Sequence, residues 1–458
     1  MYKLLKSKLW VRSLWVILGL ILALVSFGLL QLIEPIAIAP AQATLTQFSG
    51  RGLLVASDAD MVATAYADAK LDRVAGIEDT LSLISLPLNV QPQVAEVRVS
   101  NSVMSWPHIL AVSPDGRKAY VAEVRSRPAD SIEQFDTIDQ MPSGRIVSVI
   151  DIADSTQIQV IQKLEVGQNP EHLHLSPDGQ LLAINSEEKG KELAIAAVQA
   201  DGTLKQPTYL AMNIPGSANC AVTWHPSGKL LAVTTAYERQ MKGAFVAFFQ
   251  VQRNRETIEI RPYGTPIKAG NHLTMGKFTP DGKFFLVPDL KWRVRGQPQL
   301  DFLMNPKGEL LAIGLNEQTR QPQVVSRLEV GLSPEGLAIS PDGALAVTVN
   351  MRRTYLPNRL PAWRGRDRNS LSLVRINPDS GQLSAIAEYG FEGLLPEDAV
   401  FDAAGKSLAV VVYNQRILSP ETGTVEFWNV VQHPKPRLER TRFKLEVVRG
   451  PHDLELLQ

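Results

Sequence analysis

One short phrase recurs along this chain and constrains its fold more than any other feature. An apolar stretch leads into Ser-Pro-Asp-Gly, or a variant of it, and a second apolar stretch follows. The copies end at Gly116, Gly179, Gly228, Gly282, Gly343 and, in a degraded form, Gly405. Proline presets φ and glycine takes the positive-φ position of a tight turn, so each copy predicts a β-hairpin.

Each hairpin is followed by two further predicted strands. After the first hairpin these are Ile146–Ile150 and Ile158–Val166, and the later repeats follow the same order. Four antiparallel strands form one blade of a β-propeller. The six explicit hairpins therefore predict six blades.

The two ends of the chain supply a seventh blade. Residues 450–456 read like the first strand of a blade that stops before its turn, and residues 50–56 read like the missing second strand. Pairing Leu53–Ala56 with His452–Leu456 would close the ring and remove two open edges. We predict an all-β fold with one domain over residues 44–458, a seven-bladed propeller of four-stranded antiparallel blades. An eight-bladed ring or a two-domain chain does not fit this closure.

The blade sequence resembles the YVTN-type seven-bladed propellers, a family that also includes the lactonase-like propellers. Residues 146–184 and 328–349 carry its repeat pattern most fully, and the resemblance spans about residues 48–458. The signature Tyr-Val-Thr-Asn is varied here, as in Tyr120–Glu123. The resemblance implies the fold and, for its lactonase-like members, a hydrolase activity. No catalytic motif of the family matches residue by residue.

The N-terminus has the order of an export signal. Four basic residues precede the uncharged run Ser13–Ile33, and Ala41-Gln42-Ala43 follows. This order predicts a hydrophobic helix in residues 1–43, acting as a signal peptide cleaved after Ala43. The alternative is an uncleaved membrane anchor over residues 13–33, the chain's one expected contact with a membrane. Both place the propeller outside the cytoplasm, in the periplasm or extracellular space.

Composition excludes several classes of function. Lys plus Arg and Asp plus Glu both number 47, so the chain lacks the global basic charge of nucleic-acid binding. A single cysteine, Cys220, excludes an intrachain disulfide and a multi-thiolate zinc site. No Cys-x-x-Cys-His occurs, so haem could bind only noncovalently. We therefore predict no cofactor, apart from a divalent metal discussed next.

Polar residues cluster where the first strand of each blade begins. They are His108, Glu171, His172, Asn219, His272, Glu335, Glu397, Asp398 and His452. These strands surround the central channel, so the side chains would ring its mouth. Carboxylates and imidazoles can bind a divalent metal or activate water. The alternative is that a water-filled channel has a polar rim simply for solvation.

Basic loops provide the second candidate site. They carry Lys291, Arg293, Arg295, Arg352, Arg353, Arg364, Arg366 and Arg368 on two adjacent blades. Guanidinium groups match carboxylates and phosphates, and the nearby Trp292 and Trp363 could stack on a ring. Acidic loops around Asp58–Asp72 and Asp130–Asp139 lie on the adjoining blades. The alternative is solvated surface, or contacts between loops of opposite charge.

Two functions follow. The first is an exported, monomeric scaffold whose loop-rich face binds an anionic small molecule or a partner protein. The second is a lactonase-like hydrolase with its site at the mouth of the central channel.

Overall fold

A computed structural model describes most of the chain. The described residues are Trp15, Leu18, Gly19, 36–60, 69–71, 73–88, 92–101, 108–137, 140–212, 214, 219–235, 243–253, 258–292, 305–316, 319–356, 367–414 and 420–458. The predicted N-terminal helix falls almost entirely outside them. No helix in these ranges is long and apolar enough to cross a membrane.

The strands of the described ranges form seven antiparallel sheets, as predicted. The closing blade contains β1 (Gly52–Ser57), β2 (Thr80–Ser85), β3 (Val94–Arg98) and the last strand, β29 (Pro451–Leu457). Blade 1 contains β4 (Leu110–Val112), β5 (Lys118–Ala122), β6 (Ile146–Asp151) and β7 (Gln159–Glu165). Blade 2 contains β8 (Pro170–Leu175), β9 (Leu181–Ser186), β10 (Leu193–Ala197) and β11 (Thr208–Leu210). Blade 3 contains β12 (Asn219–Trp224), β13 (Leu230–Thr235), β14 (Ala244–Arg253), β15 (Ile258–Pro262) and a fifth strand, β16 (Ile267–Gly270), which also pairs with β14.

The remaining three blades have four strands each. Blade 4 contains β17 (Lys277–Phe278), β18 (Phe284–Asp289), β19 (Lys307–Asn316) and β20 (Gln321–Leu332). Blade 5 contains β21 (Pro334–Ile339), β22 (Leu345–Asn350), β23 (Arg368–Ile376) and β24 (Leu383–Glu392). Blade 6 contains β25 (Leu394–Phe401), β26 (Ser407–Asn414), β27 (Thr422–Val431) and β28 (Arg437–Val448).

The recurring phrase forms the hairpin turns. In blade 1 the Gly116 N–H donates to the Ser113 carbonyl at 2.7 Å, and Gly116 has a φ of 64°. The Ser113 hydroxyl donates to Asp115 Oδ1 at 2.6 Å and accepts the Lys118 N–H at 2.9 Å. Serine and aspartate thus hold the turn together with their side chains, while glycine adopts a φ that other residues rarely take.

The closing blade confirms the predicted pairing of the two chain ends. Leu53 lies opposite Leu456, and Val55 lies opposite Leu454, in an antiparallel register. The sheet order is β29-β1-β2-β3, so the last strand of the chain is the innermost strand of this blade. One hairpin is therefore assembled from the two termini.

The hydrophobic core lies between blades. One buried cluster includes Leu81 of the closing blade, Tyr120 of blade 1 and Ile184 of blade 2, all of them fully buried. The first strands of neighbouring blades also contact one another: β29, β4 and β8 do so in succession. Because apolar packing is satisfied between the sheets, the centre of the ring is left to the polar residues of these inner strands.

Candidate functional site

Ionisable side chains of the inner strands share one central space. Lys277 on β17 acts electrostatically on His172 of β8, Asp398 of β25, and Asp453 and Glu455 of β29. These strands belong to blades 4, 2 and 6 and to the closing blade. Blades so far apart in the ring bring their side chains together only around its centre. We therefore place these five residues on the wall of the central channel.

Strand alternation explains which residues reach this wall. Side chains two positions apart lie on the same side of a strand. Asp453 and Glu455 satisfy this spacing on β29, and His172 and His174 satisfy it on β8. The intervening Leu454 is buried in the apolar core. The wall is acidic on the closing blade and carries imidazoles on blade 2.

His108 has an unusual backbone conformation at the start of blade 1. Its φ is 102°, which non-glycine residues rarely adopt. Asp453 holds it there, since Oδ2 accepts the N–H of His108 at 2.9 Å and the N–H of Leu110 at 2.8 Å. The second oxygen of Asp453 accepts the Leu454 N–H at 2.8 Å. The closing strand thus fixes the position of His108.

The His108 ring lies between an acid and a second imidazole. Its Nδ1 is 3.8 Å from Glu455 Oε1, and its ring centroid is 5.4 Å from that of His172. Its Nε2 is buried and accepts or donates no hydrogen bond within the described ranges. This is the arrangement of a general base: a carboxylate lies beside one nitrogen of an imidazole, and the other nitrogen is left to take a proton. At 3.8 Å the acid and the ring are close but not yet hydrogen-bonded.

Burial shifts the titration of these groups in opposite directions. It lowers the pKa of His108 well below the usual range, and the charge of Lys277 lowers it further. Burial also lowers the pKa of His172 well below its usual range. The pKa of Glu455 is raised by burial to about 7, and that of Asp453 to about 6. At neutral pH the two imidazoles are therefore uncharged, and Glu455 titrates.

Other buried polar atoms of the inner strands have no hydrogen-bond partner among the described residues. Both carboxylate oxygens of Glu335 are in this state, and so are both ring nitrogens of His172. Burial raises the pKa of Glu335 well above its usual range. An unsatisfied buried polar group costs about 1–3 kcal/mol. Water or a polar ligand in contact with these groups could therefore form hydrogen bonds with them.

Several residues predicted for the channel mouth have local partners. His452 Nε2 lies 2.9 Å from Asn101 Oδ1, and the His272 ring packs edge-on against Trp292 at 5.7 Å. Burial and the adjacent Glu187 raise the pKa of Glu171 well above its usual range. The structure thus groups His108 and His172, but engages these three elsewhere. Glu397 is buried on β25 next to Asp398, and the side chain of Asn219 lies outside the described part.

Sequence reasoning missed Glu455 and Lys277. Glu455 follows Asp453 by two positions, which is also the spacing of His172 and His174 on β8. Lys277 stands two residues before the turn phrase of blade 4, at the position that His174 occupies in blade 2. Alignment of the seven inner strands would have found both.

The described residues offer no preformed metal centre. Within those ranges, no three His, Cys, Asp or Glu side chains are arranged to hold a metal ion. The divalent metal remains a prediction from the sequence.

The basic residues of the loop-rich face are partly engaged within the chain. Lys291 Nζ lies 2.7 Å from Glu309, and Arg352 Nη1 lies 3.8 Å from Glu388. Arg353 Nη2 donates to the Asn305 carbonyl at 3.4 Å, and Arg368 Nη1 donates to the Ile36 carbonyl at 3.3 Å. The other four predicted residues, Arg293, Arg295, Arg364 and Arg366, lie outside the described ranges.

The predicted acidic loops are partly buried and partly exposed: Asp130, Glu133 and Asp136 are exposed, and Asp68, Asp72 and Asp139 lie outside the described ranges. Asp58 and Asp60 are buried at the end of β1. Arg73, from the same loop, donates to the carbonyls of Pro128 at 2.8 Å and Ile132 at 2.5 Å in blade 1. The loops of the two blades are thus tied together by backbone acceptors.

Comparison with known proteins supports the fold. Residues 137–292 match the family described as "Lactonase, 7-bladed beta-propeller". No curated protein matches the sequence. A candidate 6-phosphogluconolactonase from Bacteroides fragilis is 14% identical, with a TM-score of 0.61, covering 91% of this chain and 100% of its own.

A second solved structure is equally similar. The periplasmic gluconolactonase of Pseudomonas aeruginosa is 18% identical, with a TM-score of 0.61, covering 90% of this chain and 99% of its own. At such identities the likeness extends to the fold alone. The chain is therefore a seven-bladed β-propeller whose blades resemble those of the lactonase family.

Proposed function

We propose that this protein hydrolyses a lactone in its central channel, outside the cytoplasm. The observation that carries the proposal is the setting of His108. A strained backbone held by Asp453 places its ring beside Glu455 and leaves Nε2 without a partner among the described residues. Strained residues of this kind concentrate at functional sites. The lactonase match over residues 137–292 supports the reaction class.

His108 would act as the general base. Its Nε2 takes a proton from water, and the resulting hydroxide attacks the lactone carbonyl carbon. The C–O bond of the ring then breaks, and His108 returns the proton to the departing oxygen. The product is the open-chain hydroxy acid, and the enzyme is regenerated.

Glu455 and His172 would assist this step. An ionised Glu455 stabilises the imidazolium that forms on His108, and the 3.8 Å contact can shorten when substrate binds. His172 is neutral because its pKa is lowered, so one ring nitrogen carries a proton that it can donate to the carbonyl oxygen. The 5.4 Å separation of the rings lets both reach one carbonyl group.

The channel wall favours a lactone with several hydroxyl groups. Glu335 and Asp398 have buried carboxyl oxygens without a hydrogen-bond partner in the described ranges, and their raised pKa values keep these carboxyls protonated. Substrate hydroxyls can donate to and accept from such groups and relieve their desolvation cost. A hydrocarbon lactone would leave them unsatisfied.

This proposal is better supported than a basic docking scaffold. The described cations of the loop-rich face have partners within the chain, such as Glu309 for Lys291 and Glu388 for Arg352. An exported location rests on the leader sequence of residues 1–43. The periplasmic gluconolactonase that shares the fold is consistent with it.

Acid release from sugar lactones and from unsubstituted lactones tests the proposal. We expect the wild-type protein to hydrolyse sugar lactones faster, and His108→Gln to lower kcat/KM by about 10²–10⁴-fold. His433→Gln makes the same replacement at an exposed histidine of blade 6 and serves as the matched control. Equal rates for wild type and His108→Gln would refute the assignment of the base.

A further inference from the structure

Residues 36–49 run along the outer edges of two blades, and we call them the strap. Ile38 forms a parallel bridge with Gly390 of β24, the outer strand of blade 5. The Ala39 N–H donates to the Gly390 carbonyl at 2.8 Å, and the Gly390 N–H donates to the Ala37 carbonyl at 3.2 Å. The strap therefore occupies an edge that would otherwise be open.

The strap then crosses to blade 6. The Ala43 N–H donates to the Arg440 carbonyl at 3.2 Å, and its carbonyl accepts the Arg442 N–H at 2.9 Å. Further along, Phe48 is buried and packs edge-on against Phe427 at 5.3 Å. Contacts thus lie on both sides of the predicted cleavage point after Ala43.

The lack of a side chain at Gly390 is independent evidence for the strap. A Cβ at this position would lie 2.6 Å from the Ala37 carbonyl oxygen and 3.0 Å from a side-chain carbon of Ile36. Only glycine allows so close an approach. The strand sequence of blade 5 is therefore adapted to residues that a cut after Ala43 would remove.

We propose that residues 36–43 stay on the propeller in the mature protein, so that the leader is not removed. The small-residue sites near the apolar run, Ala37-Ile38-Ala39 and Ala41-Gln42-Ala43, both lie within the strap. Cleavage at either would detach part or all of the contact with Gly390. The run Ser13–Ile33 then remains as a membrane anchor.

The proposal also orients the propeller. Three residue steps separate Ile33 from Ile36, so the two residues lie at most about 10 Å apart. The outer edge of blade 5 would therefore lie close to the membrane surface.

The N-terminus of the full chain, exported in a bacterial host and recovered from its membranes, tests the proposal. Mass spectrometry should find a chain that begins upstream of Ile36 and stays in the membrane fraction. A mature chain that begins at Ile38 or later, Thr44 included, would overturn it.

A pair of substitutions on β24 tests the contact itself. Gly390→Val should displace the strap and make residues 36–43 sensitive to limited proteolysis in the full-length protein. Ala387→Val adds the same side chain at an exposed position of the same strand and should leave them protected. Equal proteolysis of the two variants would contradict the role of Gly390. Neither result depends on whether the protein hydrolyses lactones.

Discussion

At the scale of single residues, burial in the channel determines which groups are charged. The sequence predicted His108 and His172 as site residues because both stand at the start of an inner strand. Their relation to Glu455 depends on the stagger between blades, which repeat spacing does not define. The strained φ of His108 was equally beyond sequence reasoning, since Asp453 imposes it from the other end of the chain.

Replacing Glu455 should change stability in a pH-dependent way. Its folded pKa of about 7 lies above the ordinary value of 4.5, so the protein loses stability as pH rises through about 7. Glu455→Gln removes that ionisation. Denaturant unfolding should show a gain of about 3 kcal/mol at pH 8.5 and of under about 1 kcal/mol at pH 5. An equal effect at both pH values would contradict the raised pKa.

At the scale of elements, turn chemistry made the hairpins predictable. The Ser-Pro-Asp-Gly phrase located six of them, and the resemblance between residues 450–456 and other first strands located the seventh. The strap and β16 were not predicted. Residues 36–43 have the composition of a leader, and β16 pairs with the half of β14 that β15 leaves free.

The stability of the closing blade should depend on its inner strand, β29. Leu454 is buried in the core on β29, whereas Val94 of β3 is 42% exposed on the outer strand of the same blade. We expect Leu454→Ala to cost about 2–4 kcal/mol in denaturant unfolding. Val94→Ala, the control, should cost under about 0.5 kcal/mol. Similar costs would mean that β29 is not required for closure.

At the scale of the whole molecule, closure of the ring brings together titratable groups that lie far apart in the sequence. Carboxyl groups come from blade 6 and the closing blade, as Asp398 and Glu455, and the Lys277 amine comes from blade 4. Imidazoles come from blades 1 and 2, as His108 and His172. Composition could not predict this arrangement because it arises only when the ring closes. The propeller fold positions the inner strands, and the side chains of these strands are the candidate reactive groups.

The rate of acid release from a sugar lactone, measured from pH 5 to pH 9, tests the central claim most directly. After subtraction of spontaneous hydrolysis, kcat/KM should rise through about pH 7 as Glu455 ionises and then level off. Glu455→Gln should lose that rise. A wild-type rate no greater than spontaneous hydrolysis at every pH would contradict lactone hydrolysis in this channel.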